Sequence, residues 1–308
     1  MLVQQSSTPT FSGHETFVLR SNWLKKAYDL LQTTPELFFR EDAFVRLGVG
    51  KNMAQSIRFW GRTCAVFERD PSGSAHRATP LGTALLDDNG WDPFLVTPAS
   101  RWLLHWQIVA RPEAAYSWYF CFNLLRRGEF TAPQLAQQVV ERVLALGLRP
   151  PSAATISRDV DCLLRCYLRP NLAQPGVVAE DALHCPLHEL DLIQPVPGQH
   201  SFQLLSGPRP DLPDELLALA ALQQARRLGR ASLSFNELAY GACSPGRIFR
   251  IDEDALLASL LRIEAITDGG ASYSEHGGIR QLLWRAPANP ALDSALLAAA
   301  FAQEVRDA

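Results

Sequence analysis

Lysine is nearly absent from this 308-residue chain. Of its 29 basic residues only Lys25, Lys26 and Lys51 are lysines, and arginine supplies the rest. With 32 acidic residues the formal charge is -3, which excludes a polycation that wraps nucleic acid by bulk charge. Long apolar runs are lacking too: no stretch reaches the roughly 18 residues of a membrane span. Met1 to Gly13 has no basic start followed by an apolar run, so the chain reads as cytoplasmic, with no membrane attachment. Six cysteines are too sparse for a disulfide scaffold and are expected as buried thiols. There is no Gly-x-Ser-x-Gly elbow and no Gly-x-Gly-x-x-Gly. Leu47-Gly48-Val49-Gly50-Lys51-Asn52 lacks the gap and the Ser or Thr of a phosphate loop. Serine hydrolases, nucleoside triphosphatases and dinucleotide enzymes therefore have no support.

What is present is an ordinary globular composition, 47% hydrophobic and 20% charged, long enough for two domains or several small modules. Its periodicities predict a mainly α fold of helix-turn-helix and winged-helix modules with small β-wings. The segments are a helix-turn-helix module over 1–92, an aromatic-rich helical domain over 93–168, an irregular linker over 169–212 and a winged-helix-like region over 213–308. In the first, Glu41 to Leu47 reads as a short helix, Gly48-Val49-Gly50 as a turn and Asn52 to about Arg62 as a second helix. Lys51, Gln55, Arg58 and Arg62 fall at i, i+4, i+7 and i+11, on one face, with Met53, Ile57, Trp60 and Cys64 on another. From Ala43 to Arg69 five basic residues face Glu68 alone, a net of +4. A recognition helix needs this presentation of Arg, Lys and Gln to phosphates and base edges. A solvated amphipathic helix would show the same stripe.

In the second segment Trp102, Trp106, Tyr116, Trp118, Tyr119, Phe120 and Phe122 read as core or subunit interface, because little basic residue is interleaved. Two helices follow, Ala132 to Leu146 and Ser152 to Tyr167. In the third, Glu180, Asp181, Glu189 and Asp191 form an acidic stretch without Lys or Arg, a surface loop or a magnesium site. The last segment predicts helices over Asp214–Leu228, Ser234–Tyr240 and Asp252–Ile263 and a strand over Ile279–Trp284. From Arg226 to Arg250 five arginines face Glu237 alone, again a net of +4.

Three groups could carry chemistry. Cys162, Cys166, Cys185 and His188 have donor types for zinc but not the spacing of a knuckle or ribbon. In Phe11-Ser12-Gly13-His14-Glu15-Thr16-Phe17, His14 could act as general acid or base with Glu15 orienting it, or could brace the first helix. Tyr240 precedes Ser244-Pro245-Gly246-Arg247 and Arg250. A tyrosine hydroxyl beside arginines can attack a phosphodiester, and an ordinary packed helix-end tyrosine has the same letters.

Several of these residues together resemble the SspB-type proteins: Phe11 to Phe17, Arg46-Leu47-Gly48-Val49-Gly50-Lys51-Asn52-Met53, Ile57-Arg58-Phe59-Trp60, Ser157-Arg158-Asp159-Val160-Asp161-Cys162, Glu180-Asp181 with Cys185-Pro186-Leu187, and Ser244-Pro245-Gly246-Arg247-Ile248-Phe249. That family, long catalogued as a domain of unknown function, accompanies the cysteine desulfurase, ATPase and ATP-pyrophosphatase components of a bacterial DNA phosphorothioation and phage-defence system. The resemblance implies a DNA-binding, metal-assisted nicking endonuclease working with the other components of that system; double-stranded DNA is its expected substrate, and magnesium its expected metal, because a hard cation with oxygen ligands suits phosphodiester chemistry. It further implies a C-terminal DNA-binding region similar to a tyrosine-recombinase core. Cys166 and His188 depart from the family pattern, which weakens zinc. On this reading Tyr240, Arg247, His14 and Glu15 are catalytic, while Lys51, Gln55, Arg58, Arg62 and Arg250 hold DNA. No metal ligand is assigned, and a homodimer is compatible with the pattern. The competing expectation is a non-catalytic winged-helix adaptor that brings DNA to sulfur-transfer enzymes.

Overall fold

Helix α1 (Ser21–Thr33) buries Trp23, Leu24, Ala27, Tyr28 and Leu31, a stripe that repeats at helical spacing and faces the core. The computed structural model describes residues 8–71, 73–169 and 185–302. After α1 comes a one-turn α2 (Ala43–Arg46), then α3 (Lys51–Thr63). Gly48 separates them at φ +61°, the left-handed region a tight turn needs. A two-stranded hairpin follows, β1 (Phe67–Arg69) paired antiparallel with β2 (His76–Ala78). It lies so close to α3 that a Cβ on Gly61 would meet the Phe67 ring at 2.0 Å. Thr79 then caps α4 (Pro80–Leu86).

The centre is built on α5 (Pro98–Val109), nearly all of it buried, and α6 (Tyr116–Tyr119), which runs into a π-helical turn at Phe120–Leu124. All seven aromatics expected there as core are buried. In the π turn, Asn123 donates to Val109 O at 2.8 Å and accepts from the Cys243 amide at 2.7 Å, tying the centre to the C-terminal region. Strand β3 (Glu129–Phe130) leads to the antiparallel helices α7 (Ala132–Ala145) and α8 (Ala153–Tyr167), within a residue or two of expectation.

The stretch read as irregular linker is ordered over its described part. A 3-10 turn at Pro186–Leu190 precedes β4 (Ile193–Pro195) and β5 (Phe202–Leu204), which join β3 in a sheet of order β3-β5-β4. Leu187, Leu190, Leu192 and Ile193 are buried. Glu180 and Asp181 lie outside the described residues.

The C-terminal part opens with α9 (Asp214–Leu228) and continues through β6 (Ser232–Ser234), α10 (Phe235–Tyr240), α11 (Pro245–Phe249) and α12 (Glu253–Ile266). Then β7 (Ala271–His276) and β8 (Ile279–Trp284) complete a sheet of order β6-β8-β7, and α13 (Ala291–Ala302) packs on α9. Three elements here are unexpected from sequence: β6, α11, read as loop, and α13. The chain is thus mainly α with small antiparallel sheets. One hydrophobic cluster runs from Val18 to Phe301 through all four sequence segments. Among the described residues no helix is long and apolar enough to cross a membrane.

Candidate functional site

Helix α3 presents its basic stripe outward. Lys51, Gln55 and Arg62 are exposed and Arg58 half-buried, while Ile57, Trp60 and Cys64 pack inward. Many arginines of the chain are neutralised locally: Arg46 by Asp42, Arg77 by Glu68, Arg165 by Asp161 and Arg226 by Asp293. Among the described residues Lys51, Arg58 and Arg62 form no such pair. Their field is felt inside the protein. Burial, followed by the charges of Arg62, Arg58 and Arg69, pushes the buried His76 imidazole of β2 down to about 4. Helix α3 and its hairpin therefore form one positive patch.

His14 sits elsewhere. Its segment is unusual, with Ser12, Gly13, Glu15 and Thr16 all at positive φ. His14 is 1% exposed, and its Nε2 lies 2.8 Å from Asp159 Oδ1 on α8. The Thr16 amide donates to Nδ1 at 3.0 Å, which places the ring proton on Nε2, directed at Asp159. Asp159 also accepts from the Ser12 amide at 2.8 Å and Ser117 Oγ at 3.1 Å. The ring lies edge-on to Phe59 and Trp118. This is the bracing arrangement: both ring nitrogens are engaged, and the N-terminal strap is clamped between α3 and α8. Glu15 is half-exposed beside it. No hydrogen bond or ring contact joins His14 to Tyr240 or Arg247, so the structure does not bring these proposed catalytic residues together.

Tyr240 ends α10 and is 53% exposed. Its hydroxyl donates to Glu253 Oε1 at the start of α12. That hydrogen bond, helped by partial burial, raises the phenol above its ordinary pKa, and Arg247 opposes the shift. Arg247 does not reach the hydroxyl. Its Nε donates to the Tyr240 carbonyl at 3.3 Å and its Nη1 to Leu125 O at 3.2 Å. Arg250 closes α11 at φ +54°, with its carbonyl accepting from the Gly207 amide at 3.1 Å. Its Nε is buried without a partner. Burial first, then the neighbouring charges of Arg247 and Arg209, pull Arg250 below its ordinary value.

Three residues of this site escape sequence reasoning. Glu253 is visible only as one of three carboxylates opening a helix, and nothing local ties it to Tyr240. Arg209, from the stretch read as linker, donates to Phe249 O at 3.2 Å and Leu205 O at 3.0 Å and so stands beside Arg250. A third, His105, holds α11 from beneath. Its Nε2 donates to Ile248 O and its Nδ1 accepts from Tyr167 Oη, each at 2.8 Å. Burial pushes this imidazole down to about 3.

Among the described residues no group of three His, Cys, Asp or Glu side chains is arranged to hold a metal ion. The zinc reading is corrected accordingly. Cys162, Cys166 and Cys185 are buried, with the Cys162 and Cys185 thiols donating to Phe17 O and Cys166 O. His188 Nε2 lies 2.8 Å from Arg165 O, where it donates and cannot ligate. The lack of such a group likewise leaves no assigned set of ligands for magnesium among the described residues.

The family described as a protein of unknown function, DUF4007, matches residues 11–301. No curated protein matches the chain. Among solved structures, the magnesium ion-bound SspB crystal structure is 32% identical with a TM-score of 0.81, and it is matched over 97% of each chain. A second SspB crystal structure is 33% identical with a TM-score of 0.80, again over 97% of each chain. With the fold, the order of motifs and nearly the full length in agreement, the chain belongs to the DUF4007 family and to its SspB-type proteins.

Proposed function

We propose that this protein binds duplex DNA and nicks one strand in a phosphorothioation-based phage-defence system, working with that system's other components. The observation that carries the reading is the presence, in a chain of net charge -3, of two sets of basic residues that form no ion pair among the described residues: Lys51, Arg58 and Arg62 on α3, and Arg247 and Arg250 at α11. The likeness to SspB supports it. On this reading α2, α3 and the hairpin act as a winged helix with α3 in the major groove, and α10 to α12 act as the tyrosine-recombinase-like region.

At the scissile phosphate Arg247 and Arg250 hold non-bridging oxygens. Tyr240 attacks or orients. If it attacks, its proton passes to Glu253 as the tyrosine oxygen bonds to phosphorus and the bond from phosphorus to one DNA oxygen breaks, that leaving oxygen taking its proton from solvent water. Magnesium, which takes one or two carboxylates together with substrate phosphates, would supply Lewis-acid help. Supercoiled plasmid with magnesium tests this. Tyr240→Phe and Arg247→Ala are expected to lower nicking by at least about 100-fold, the scale of losing a nucleophile or a transition-state contact. Nicking at the wild-type rate by both variants would show that the site lies elsewhere.

The adaptor reading also rests on an observation. The Tyr240 hydroxyl is tied to a carboxylate that keeps it protonated, and the described residues contain no compact nuclease cluster. DNA binding that survives EDTA, with no nicking by a homogeneous sample, would decide for it.

A further inference from the structure

The two positive patches are joined through the end of α5. Arg111, two residues past that helix, donates from Nη2 to the carbonyls of Arg62, at 3.3 Å, and Thr63, so its guanidinium sits against the last turn of α3. Its chain neighbour Ala110 offers a carbonyl to Arg227 Nη2 at 3.3 Å and to the Cys243 thiol at 3.5 Å. The Cys243 amide in turn is held by Asn123, and two residues on Leu125 O holds Arg247. Stepping from contact to contact, the order is Arg62, Arg111, Arg227, Arg247. Arg227 is exposed, and among the described residues neither it nor Arg111 forms an ion pair with a carboxylate. Glu113 is the acid whose charge reaches both Arg111 and Cys243, too far to pair with Arg111.

The guanidiniums of Arg111, Arg227 and Arg247 are each anchored by donating to a main-chain carbonyl, and Arg62 joins the row through its own carbonyl, which accepts from Arg111. The five donors of arginine leave further N–H groups on every member for a second acceptor, and phosphate is the acceptor whose geometry matches the fork. We infer that Arg62, Arg111, Arg227 and Arg247 form one continuous phosphate track, along which the backbone of a single DNA duplex runs from α3 to Tyr240. The inference rests on the DNA-binding reading above and adds Arg111 and Arg227 to it. Its consequence is a fixed register. Whatever bases α3 meets, the phosphate presented to Tyr240 lies at a set distance from them.

Binding of a fluorescent duplex by the full chain, followed by anisotropy across a salt series, tests the track. Arg227→Gln removes the charge and shortens the side chain; it is expected to weaken binding about 5- to 20-fold and to reduce the salt slope by about 0.9. Arg227→Glu should weaken binding further, with an unchanged melting temperature as the control on folding. Wild-type affinity and slope in Arg227→Gln, beside weakened binding in Arg62→Gln and Arg247→Gln, would break the track into two separate patches. Loss of polyglutamate binding by Arg227→Gln with duplex binding intact would reassign the row to an acidic protein and overturn the inference. No duplex binding by the wild-type chain would instead overturn the DNA-binding reading itself.

Discussion

Two buried histidines give the molecule a pH signature. His105 and His76 are held at about 3 and about 4, both through burial, against an ordinary value near 6.5. Below pH 6.5 the unfolded chain takes up protons that the folded protein refuses. Their contribution is therefore complete above about pH 6.5 and falls as the pH drops toward the folded values. At pH 5 each histidine should cost about 2 kcal/mol of stability relative to pH 7.5. Thermal melts over that range check this, and His105→Gln should flatten the slope. Tyr240 belongs to the same scale. Glu253→Gln removes the carboxylate that keeps the phenol protonated, so ultraviolet titration should move the Tyr240 ionisation downward, toward the ordinary value near 10. An unchanged titration would mean that burial, not the carboxylate, sets it.

Among the elements, α11 is the one on which the site depends, and it is also the least stable-looking in sequence. It has five residues, a proline and a glycine, and survives because its surroundings hold it. Ser244 caps its start, and His105 and Arg209 satisfy its last carbonyls. Gly246 lies so close to α10 that a Cβ would meet the Ala239 carbonyl oxygen at 2.2 Å. Gly246→Ala should therefore push the two helices apart and destabilise the protein by about 2 kcal/mol or more, the range of overpacked positions. It should also misplace Arg247 and Arg250 and so lower DNA affinity more than the loss of stability explains. Longer elements were legible without such help. Helices α3, α7, α8 and α9 carry enough apolar periodicity to be placed within a residue or two, and β8 announces itself by alternation after two glycines. Helix α11 and strands β4 and β5 are too short for a period to show and exist through tertiary contacts. The same reason hides the site. Asp159 lies 145 residues from His14, so a clamp and a general acid look alike until the chain is folded.

For the whole molecule, a single hydrophobic cluster reaching from Val18 to Phe301 predicts one cooperative unfolding transition rather than one per sequence segment. Calorimetry showing two separated peaks would contradict it. The N-terminal strap takes part in that unit. His14→Ala leaves the buried Asp159 carboxylate without its ring partner and should lower the whole transition by about 3 kcal/mol. Charge is likewise a property of arrangement at this scale, since a net of -3 coexists with two patches of +4 that acidic stretches offset elsewhere.

The carbonyl anchoring of the arginine row has a consequence for entropy. A free arginine or lysine loses rotamer freedom when it meets a phosphate, at about 0.5–1.5 kcal/mol for each side chain ordered. Arg111, Arg227 and Arg247 have already lost much of that freedom on folding, because one edge of each guanidinium is fixed to the backbone. A lysine ammonium bound to the same carbonyl keeps its charge but has no second, rigidly aimed edge to offer. Arg227→Lys should therefore preserve the salt slope while raising the dissociation constant, with the loss appearing as less favourable entropy in calorimetric titration. A chain with three lysines is in this sense a chain whose cationic surface is ordered before its ligand arrives.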